Sequence, residues 1–177
     1  MISIQRPKKD DVREIQDVFY KTWLATYPNE EAGVTVADIE EKFKDRFSPE
    51  NIEKRIKNIT DVSANKLFLI AKDENDIVGV CLLRKEESYD ELGAIYVLPD
   101  CQRKGIGKMF WKRAAEFFGG EKDIIVHVAV YNEKAINFYK KIGFVETGKQ
   151  FKNEKHKMPI SGSYIVDTEM VIKAEKR

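Results

Sequence analysis

A basic, glycine-rich turn between an apolar strand and a helix constrains the fold of this chain more than any other feature. The turn and the start of the helix contain Gln102, Arg103, Lys104, Gly105, Ile106, Gly107 and Lys108. An apolar strand is predicted before it, from Glu91 to Leu98. After it, Phe110, Ala114 and Phe117 recur with helical spacing. Unpaired N–H groups at a helix start carry positive potential, so this pattern is typical of a phosphate-binding turn.

The glycine spacing separates this turn from two better-known phosphate loops. A P-loop requires G-x-x-x-x-G-K-[ST], which does not occur here. The dinucleotide fingerprint requires a third glycine where this chain has Phe110. A tight turn without any ligand would also satisfy the pattern, so the turn alone leaves a structural role open.

A second cluster follows the next predicted strand, Ile124 to Val130. It runs Asn132-Glu133-Lys134-Ala135-Ile136-Asn137-Phe138-Tyr139-Lys140-Lys141-Ile142-Gly143-Phe144. Together the turn and this cluster resemble the GCN5-related N-acetyltransferase (GNAT) superfamily, with its Q/R-x-x-G-x-G/A pyrophosphate loop and its N-x-x-A-x-x-F-Y-x-x-x-G-F segment. The resemblance covers residues 91 to 144, and both motifs occur in the order that the superfamily has.

The remaining elements agree with a single α/β domain over residues 1–177. Helix starts are predicted at Asp10, Thr35 and Ser48. Further strands are predicted at 2–6, 67–72, 77–84, 144–151 and 163–172, with a polar loop at 152–162. The element order resembles the β-αα-βββ-α-β-α-ββ order of the superfamily. It implies a mixed, mostly antiparallel central sheet that is flanked by helices.

Composition argues against several other classes of protein. Of 177 residues, 42% are apolar and 34% are charged, and the net charge of +1 does not indicate nucleic acid or a membrane surface as partner. No apolar run approaches the length of a membrane-spanning helix, and the N-terminus lacks the apolar core of a signal peptide. The two cysteines, Cys81 and Cys101, lack metal-ligand spacing and are typical of free thiols. We expect a cytoplasmic protein without a metal; a homodimer is left open.

The resemblance implies acetyl-CoA as the acetyl donor. In the superfamily the pantetheine arm lies where the strand before the turn and the strand Ile124–Val130 splay apart. Backbone groups of Ile95, Tyr96 and Val97 would pair with the arm as another strand would. The pyrophosphate would lie on the main-chain amides of the turn. Asn132 is expected to cap its helix and, with Ala135, to contact the arm.

The resemblance implies that a tyrosine acts as the general acid of the reaction. Tyr139 is expected to protonate the departing CoA thiolate, although its helical spacing would equally suit a packing role. A base is also needed, because an amine with a pKa near 10.4 is almost fully protonated at pH 7. Glu91 matches the position of the glutamate base in the histone-acetylating branch; a solvated carboxylate, with proton loss through water, is the alternative. His127 is expected in the core and His156 on the surface.

The acceptor is implied to be a primary amine. Trp23, Tyr27, Glu30 and Glu31 form an aromatic and acidic set that could hold a cation. The polyamine-acetylating branch is similar over 132–144 but often carries an acid where this chain has Gly93. Three functions stay open: acetylation of a small amine such as a polyamine, acetylation of a protein lysine or N-terminus, and CoA binding without turnover.

Overall fold

A seven-stranded sheet forms the centre of the protein, which a computed structural model describes from residue 1 to residue 174. The strands are β1 (Ile2–Gln5), β2 (Lys66–Asp73), β3 (Asp76–Lys85), β4 (Asp90–Val97), β5 (Ile124–Ala129), β6 (Val145–Lys157) and β7 (Tyr164–Ile172). Their order across the sheet is β1-β2-β3-β4-β5-β7-β6. Of these neighbouring pairs, β4 and β5 are parallel and the others antiparallel. The predicted mixed, mostly antiparallel sheet is confirmed.

Five helices flank the sheet in the described part of the chain. They are α1 (Val12–Thr26), α2 (Val36–Phe43), α3 (Pro49–Ile59), α4 (Ile106–Phe118) and α5 (Glu133–Lys141). Three of them lie between β1 and β2, one more than the superfamily order contains, because Thr35 and Ser48 both cap helices as predicted. The predicted cap at Asp10 is wrong. The carboxylate of the next residue, Asp11, accepts from the Lys8 N–H at 2.7 Å before α1 begins.

The helices form a layer on each face of the sheet. Helices α4 and α5 bury Ile106, Phe110 and Tyr139 in one core, against apolar residues of β2 to β5. Helices α1 and α3 bury Phe19 and Ile59 in the core of the other face. Each large apolar side chain that is fully buried contributes about 1.5–3 kcal/mol. Strand β4 therefore packs against both layers, with Leu92 in the first core and Tyr96 against the second, whereas β5 packs into the first core. In residues 1–174, no helix combines the length and the apolar character that crossing a bilayer requires.

The C-terminal end of β6 corrects the sequence analysis. The predicted loop at 152–162 is wrong for residues 152–157, which continue the strand. Because β6 is at the edge of the sheet, it carries many exposed polar residues, and such a strand resembles a loop in composition. The turn that follows is held by Asp38 at the start of α2, whose carboxylate accepts from the Ile160 and Ser161 N–H groups at 2.9 and 2.8 Å.

Candidate active site

Strands β4 and β5 are paired only where they begin. Asp90 lies opposite Ile124 and Glu91 opposite Ile125, and the register ends there. Strand β4 stays paired with β3 as far as Val97, and β5 stays paired with β7 as far as Ala129. Beyond Glu91, the edge of β4 that faces β5 thus has no partner strand among residues 1–174. The predicted splay is present, and Ile95, Tyr96 and Val97 border this opening.

The basic turn lies at the wide end of the opening, directly after β4. Gly105 adopts a left-handed conformation with φ of 84° and precedes the first residue of α4. Arg103 has a φ of 63°, a conformation that costs a non-glycine residue about 1–2 kcal/mol. Gln102 Nε2 donates to the Val97 carbonyl at 3.1 Å and ties the turn to the strand. The first N–H groups of α4 lack intrahelical acceptors, so this terminus suits an anion.

The two glycines of the turn have different roles. A Cβ atom on Gly105 would meet no heavy atom within 4 Å, so its surroundings are open. A Cβ atom on Gly107 would lie 3.0 Å from the ring of Phe138 on α5. Gly107 therefore permits α4 and α5 to approach closely. A glycine is thus needed at position 107 for helix packing, and the sequence alone does not reveal this requirement.

Tyr139 is buried on α5 beside the opening. Its side chain is 5% exposed, and its ring packs edge-on against Phe138 and Phe144, at centroid distances of 5.3 and 5.6 Å. Burial, with smaller contributions from Cys81 and Tyr96, raises the pKa of the Tyr139 phenol well above its usual range. The hydroxyl therefore stays protonated at neutral pH and can donate a proton. The packing role and the catalytic role are compatible, because packing uses the ring.

Asn132 begins α5 as predicted. Its Oδ1 accepts from the Ala135 N–H at 3.2 Å, which confirms the helix cap. Both residues follow the end of β5 closely in the chain, so they lie on the β5 side of the opening. The capping bond uses the carbonyl oxygen of the Asn132 side chain. The amide NH₂ group of the same side chain can therefore donate a hydrogen bond to another group.

Glu91 is half-buried at the last paired position of β4. Arg84 Nη1 on β3 donates to Glu91 Oε2 at 2.9 Å. To accept a proton from an amine, the Glu91 carboxylate must either use its other oxygen or break the hydrogen bond from the Arg84 guanidinium. The pair depends on the register between β3 and β4, in which Arg84 and Glu91 lie directly opposite.

The four residues predicted to hold the acceptor do not form one group. Trp23 and Tyr27 are 6% and 7% exposed, and their ring centroids lie 4.5 Å apart. Glu30 and Glu31 are exposed on the segment after α1. Glu31 lines a surface cleft of about 630 Å³ together with residues that include Tyr131. The aromatic half of the set is thus interior, and the acidic half lies on the surface.

Further phenols surround Tyr27 in the interior. The Tyr27 hydroxyl lies 3.2 Å from the hydroxyl of Tyr96 on β4. The Tyr131 hydroxyl donates to the Tyr27 carbonyl at 2.9 Å. Burial raises the pKa of Tyr27 and Tyr96, and the two phenols also interact with each other. Tyr27, at the C-terminal end of α1, therefore contacts the strand that borders the same opening as the turn.

Strands β6 and β7 contribute Asp167, which the sequence did not single out, and His156, for which it indicated no role in the site. Asp167 on β7 is 3% exposed, and its Oδ2 accepts from Asn153 Nδ2 at 2.9 Å. His156 Nδ1 lies 3.7 Å from the same oxygen, and the imidazole stands edge-on to Trp23 at 5.2 Å. The expected loop at His156 is wrong, because β6 continues through it. The His156 side chain is 26% exposed and is therefore half-buried, with its ring against Trp23. Phe151 and Asn153 are both partly buried, and their spacing of two residues is the period of a strand. The polar composition of this segment concealed that period in the sequence.

Comparison with known proteins places these features in a family. The sequence profile of the Acetyltransferase (GNAT) family matches residues 14–144. Peptidyl-lysine N-acetyltransferase YjaB of Salmonella typhimurium is 34% identical over 83 residues, which cover 47% of this chain and 52% of that protein. The chain thus spans about half the length of this curated relative.

Solved structures share the whole fold at lower identity. The PaiA N-acetyltransferase of Thermoplasma acidophilum, in complex with coenzyme A, has a TM-score of 0.71 and 22% identity, covering 98% of this chain and 99% of that one. A chimera of spermidine N-acetyltransferase SpeG from Vibrio cholerae and hSSAT has a TM-score of 0.63 and 21% identity, covering 99% and 96%. Since the family profile covers well over half of its residues, the chain belongs to the Acetyltransferase (GNAT) family.

Proposed function

We propose that this protein transfers an acetyl group from acetyl-CoA to a primary amine. The observation that carries the proposal is the opening between β4 and β5, closed at one end by the Glu91–Ile125 pair and bordered at the other by the basic turn. An extended arm that contains amide groups can bond to the unpaired edge of β4, as a neighbouring strand would. A pyrophosphate at the end of that arm suits the start of α4. A GNAT structure of the same fold was solved with coenzyme A.

Residues of the turn would hold the donor mainly through their backbone. The amides from Arg103 to Lys108 would bind the pyrophosphate, and the open surroundings of Gly105 leave room for it. The side chains of Arg103, Lys104 and Lys108 add positive charge. Along the arm, the β4 backbone at 95–97 and the amide group of Asn132 are the proposed partners, with Ala135 beside them. Bound acetyl-CoA supplies an activated thioester.

Two residues are proposed to move protons. Glu91 would accept a proton from the ammonium group of the acceptor, directly or through water, so that the neutral amine can form the new C–N bond. Tyr139 would donate its hydroxyl proton to the sulfur as the C–S bond breaks. Burial keeps this phenol protonated at neutral pH, so its proton is present when the C–S bond breaks. The proton that the newly bonded nitrogen loses would restore the phenol, and Glu91 would release its proton to water. One proton thus leaves for each ammonium group acetylated, and the enzyme returns to its starting state.

For the acceptor, a small aliphatic amine such as a polyamine is the first candidate. A structural neighbour is a spermidine acetyltransferase, and the sequence resembles that branch over 132–144. A lysine side chain of a protein is the second candidate, favoured by the relative named a peptidyl-lysine acetyltransferase. Both acceptors carry an ammonium group on a flexible aliphatic chain. A cytoplasmic location remains a prediction from the sequence.

An acceptor panel tests this proposal. Purified protein is incubated with acetyl-CoA and, separately, polyamines, amino acids, aminoglycosides, and peptides with a lysine or a free N-terminus. We expect thiol release that depends on the acceptor, and an acetylated polyamine detected by mass spectrometry. A preference for lysine peptides would favour the second candidate. Binding of acetyl-CoA without any acetylated product would contradict the proposal and indicate a CoA-binding domain without turnover.

A further inference from the structure

Asp167 is a buried carboxylate whose only basic neighbour within ion-pair distance, among residues 1–174, is the imidazole of His156. It lies on β7 opposite Ala129, where β5 ends beside the opening, and it is 3% exposed. Asn153 donates to its Oδ2 at 2.9 Å, but in residues 1–174 no lysine or arginine nitrogen lies within ion-pair distance of it. Burying a carboxylate without a cationic counter-charge is costly. A cation from outside the chain would compensate this cost.

His156 is similarly incomplete. Its Nδ1 is buried and has no hydrogen-bond partner in the described part of the chain. His156 Nδ1 lies 3.7 Å from Asp167 Oδ2, which is too far for a hydrogen bond. The imidazole is nevertheless close enough to restrict the orientation of the carboxylate. The ring of Trp23 packs against the imidazole, and Tyr27 packs against Trp23. A carboxylate beside aromatic rings is the chemistry that recognises an ammonium group.

This group is connected to the opening by direct contacts. Tyr27 meets Tyr96 through their hydroxyls at 3.2 Å, and Tyr96 belongs to the stretch of β4 that lacks a partner strand on its β5 side. The carboxylate also acts electrostatically on nearby phenols. Burial first, and then Asp167, raises the pKa of Tyr131 to about 12. The negative charge of Asp167 therefore lies near the place where donor and acceptor would meet.

We propose that Asp167 binds the ammonium group of the acceptor, and that the acceptor is consequently an aliphatic amine that is cationic at neutral pH. This inference rests on the proposed acetyl transfer to an amine. Asn153 and His156 are positioning residues that fix the carboxylate, and the ring of Tyr27 provides the aromatic wall. The Trp23 ring supports this wall from behind, since the Lys42 ammonium already lies 5.4 Å from its centroid. A neutral arylamine of similar size would leave the charge of Asp167 uncompensated and is selected against.

The test is Asp167→Asn with Glu169→Gln as matched control. Asp167→Asn keeps the size of the side chain and removes its charge. We expect the acceptor KM to rise about tenfold or more, with the acetyl-CoA KM unchanged. Glu169 lies two residues along β7, where its carboxylate pairs with Lys149 at 2.9 Å, so Glu169→Gln should retain the wild-type acceptor KM. The preference for an aliphatic amine over aniline should fall in Asp167→Asn alone.

Binding without turnover separates this inference from the proposed function. Spermidine and a lysine peptide are titrated calorimetrically into the complex with CoA. Wild-type binding that Asp167→Asn abolishes supports the inference even where no acetylated product forms, whereas the proposed function would then fail. Equal acceptor binding and KM in Asp167→Asn and Glu169→Gln would overturn the inference, as would a wild type that binds neither amine. If Asp167→Asn does not fold, His156→Gln is measured instead. An acceptor KM and an acceptor affinity that are both unchanged in His156→Gln would overturn the inference.

Discussion

The hydroxyl oxygens of Tyr27 and Tyr96 lie 3.2 Å apart, and this contact joins helix α1 to the strand that borders the proposed cofactor opening. Burial raises the pKa of both phenols, so at neutral pH they share a hydrogen bond between neutral groups. The end of helix α1 is thereby held next to the opening that the basic turn borders. Tyr139, packed on the opposite face of the sheet, completes a row of three phenols between the two sides.

Replacing Tyr139 by Phe should lower kcat by about 10²–10⁴-fold with little change in the acetyl-CoA KM. The substitution keeps the ring that packs against Phe138 and Phe144, and it removes only the hydroxyl. Steady-state kinetics measure the change, with Tyr89→Phe, a tyrosine just before β4, as control. A kcat near the wild-type value in Tyr139→Phe would leave Tyr139 with a packing role alone.

Gly105→Glu should abolish binding of CoA while the protein stays folded. The new carboxylate would occupy the open space of the turn and repel the pyrophosphate. The left-handed backbone adds a folding cost of about 1–2 kcal/mol for a non-glycine residue. Calorimetric titration with CoA, after denaturant unfolding has confirmed the fold, measures the effect. Undiminished affinity would rule out this turn as the pyrophosphate site.

Gly107→Glu is a poorer test than the sequence suggests. Its side chain would meet the Phe138 ring first, since even a Cβ atom there lies only 3.0 Å away. We expect overpacking to cost about 1–3 kcal/mol of unfolding free energy. A loss of CoA binding in that variant would therefore mix two causes, whereas Gly105→Glu isolates the anion site.

The double substitution Glu30→Gln/Glu31→Gln should change the acceptor KM by no more than severalfold. Both carboxylates are exposed, and an exposed charge pair contributes about 0–1 kcal/mol. Any increase in KM should shrink at high salt, because salt screens exposed charges. Kinetics at low and high ionic strength decide the matter. A hundredfold increase in the acceptor KM that salt does not change would contradict this prediction and indicate that Glu30 and Glu31 bind the acceptor directly.

The stability contributed by Asp38 should depend on pH in a defined direction. Burial opposes ionisation of this carboxyl, but hydrogen bonds from Ser161 and Thr35 prevail and hold its pKa well below the usual range. A depressed pKa in the folded state stabilises the protein above the unfolded pKa of about 3.9, and this contribution is lost as the pH falls towards the folded value. Asp38→Asn should therefore destabilise by about 1–3 kcal/mol at pH 7 and by clearly less below pH ~3.

Urea unfolding of wild type and Asp38→Asn at pH 7, 5 and 3 measures this difference. Glu40→Gln, on an exposed position of the same helix, is the control. A difference in unfolding free energy that stays constant over this range would show that the charge of Asp38 does not stabilise the turn after β6.

Local signals in the sequence predicted much of the fold. The caps at Thr35, Ser48 and Asn132 act within three residues, so they are visible in a short stretch of chain. The basic turn is equally local, because Gly105 sets its own backbone and directly precedes α4. The first half of β6 was predicted as a strand, but residues 152–157 were not, because an edge strand needs no apolar face along its full length.

The missing parts of the candidate site depend on contacts between distant strands. Glu91 meets Arg84 only through the register of β3 with β4, and Asp167 meets His156 only because β6 extends to Lys157. A short pattern along the chain carries no information on such pairs. For the same reason, the sequence placed Glu30 and Glu31 with Trp23 and Tyr27, which are close in the chain but differ in burial.

Hydrogen exchange of backbone amides with and without acetyl-CoA tests the central claim most directly. If the opening between β4 and β5 binds the donor, the amides of Ile95 and Val97, which point away from β3, and those at 103–108 should exchange more slowly in the complex, because they gain hydrogen-bond acceptors. Amides of β1, far across the sheet, should be unchanged. Slower exchange at both stretches is the predicted result. Binding of acetyl-CoA that leaves both stretches unprotected would contradict the account.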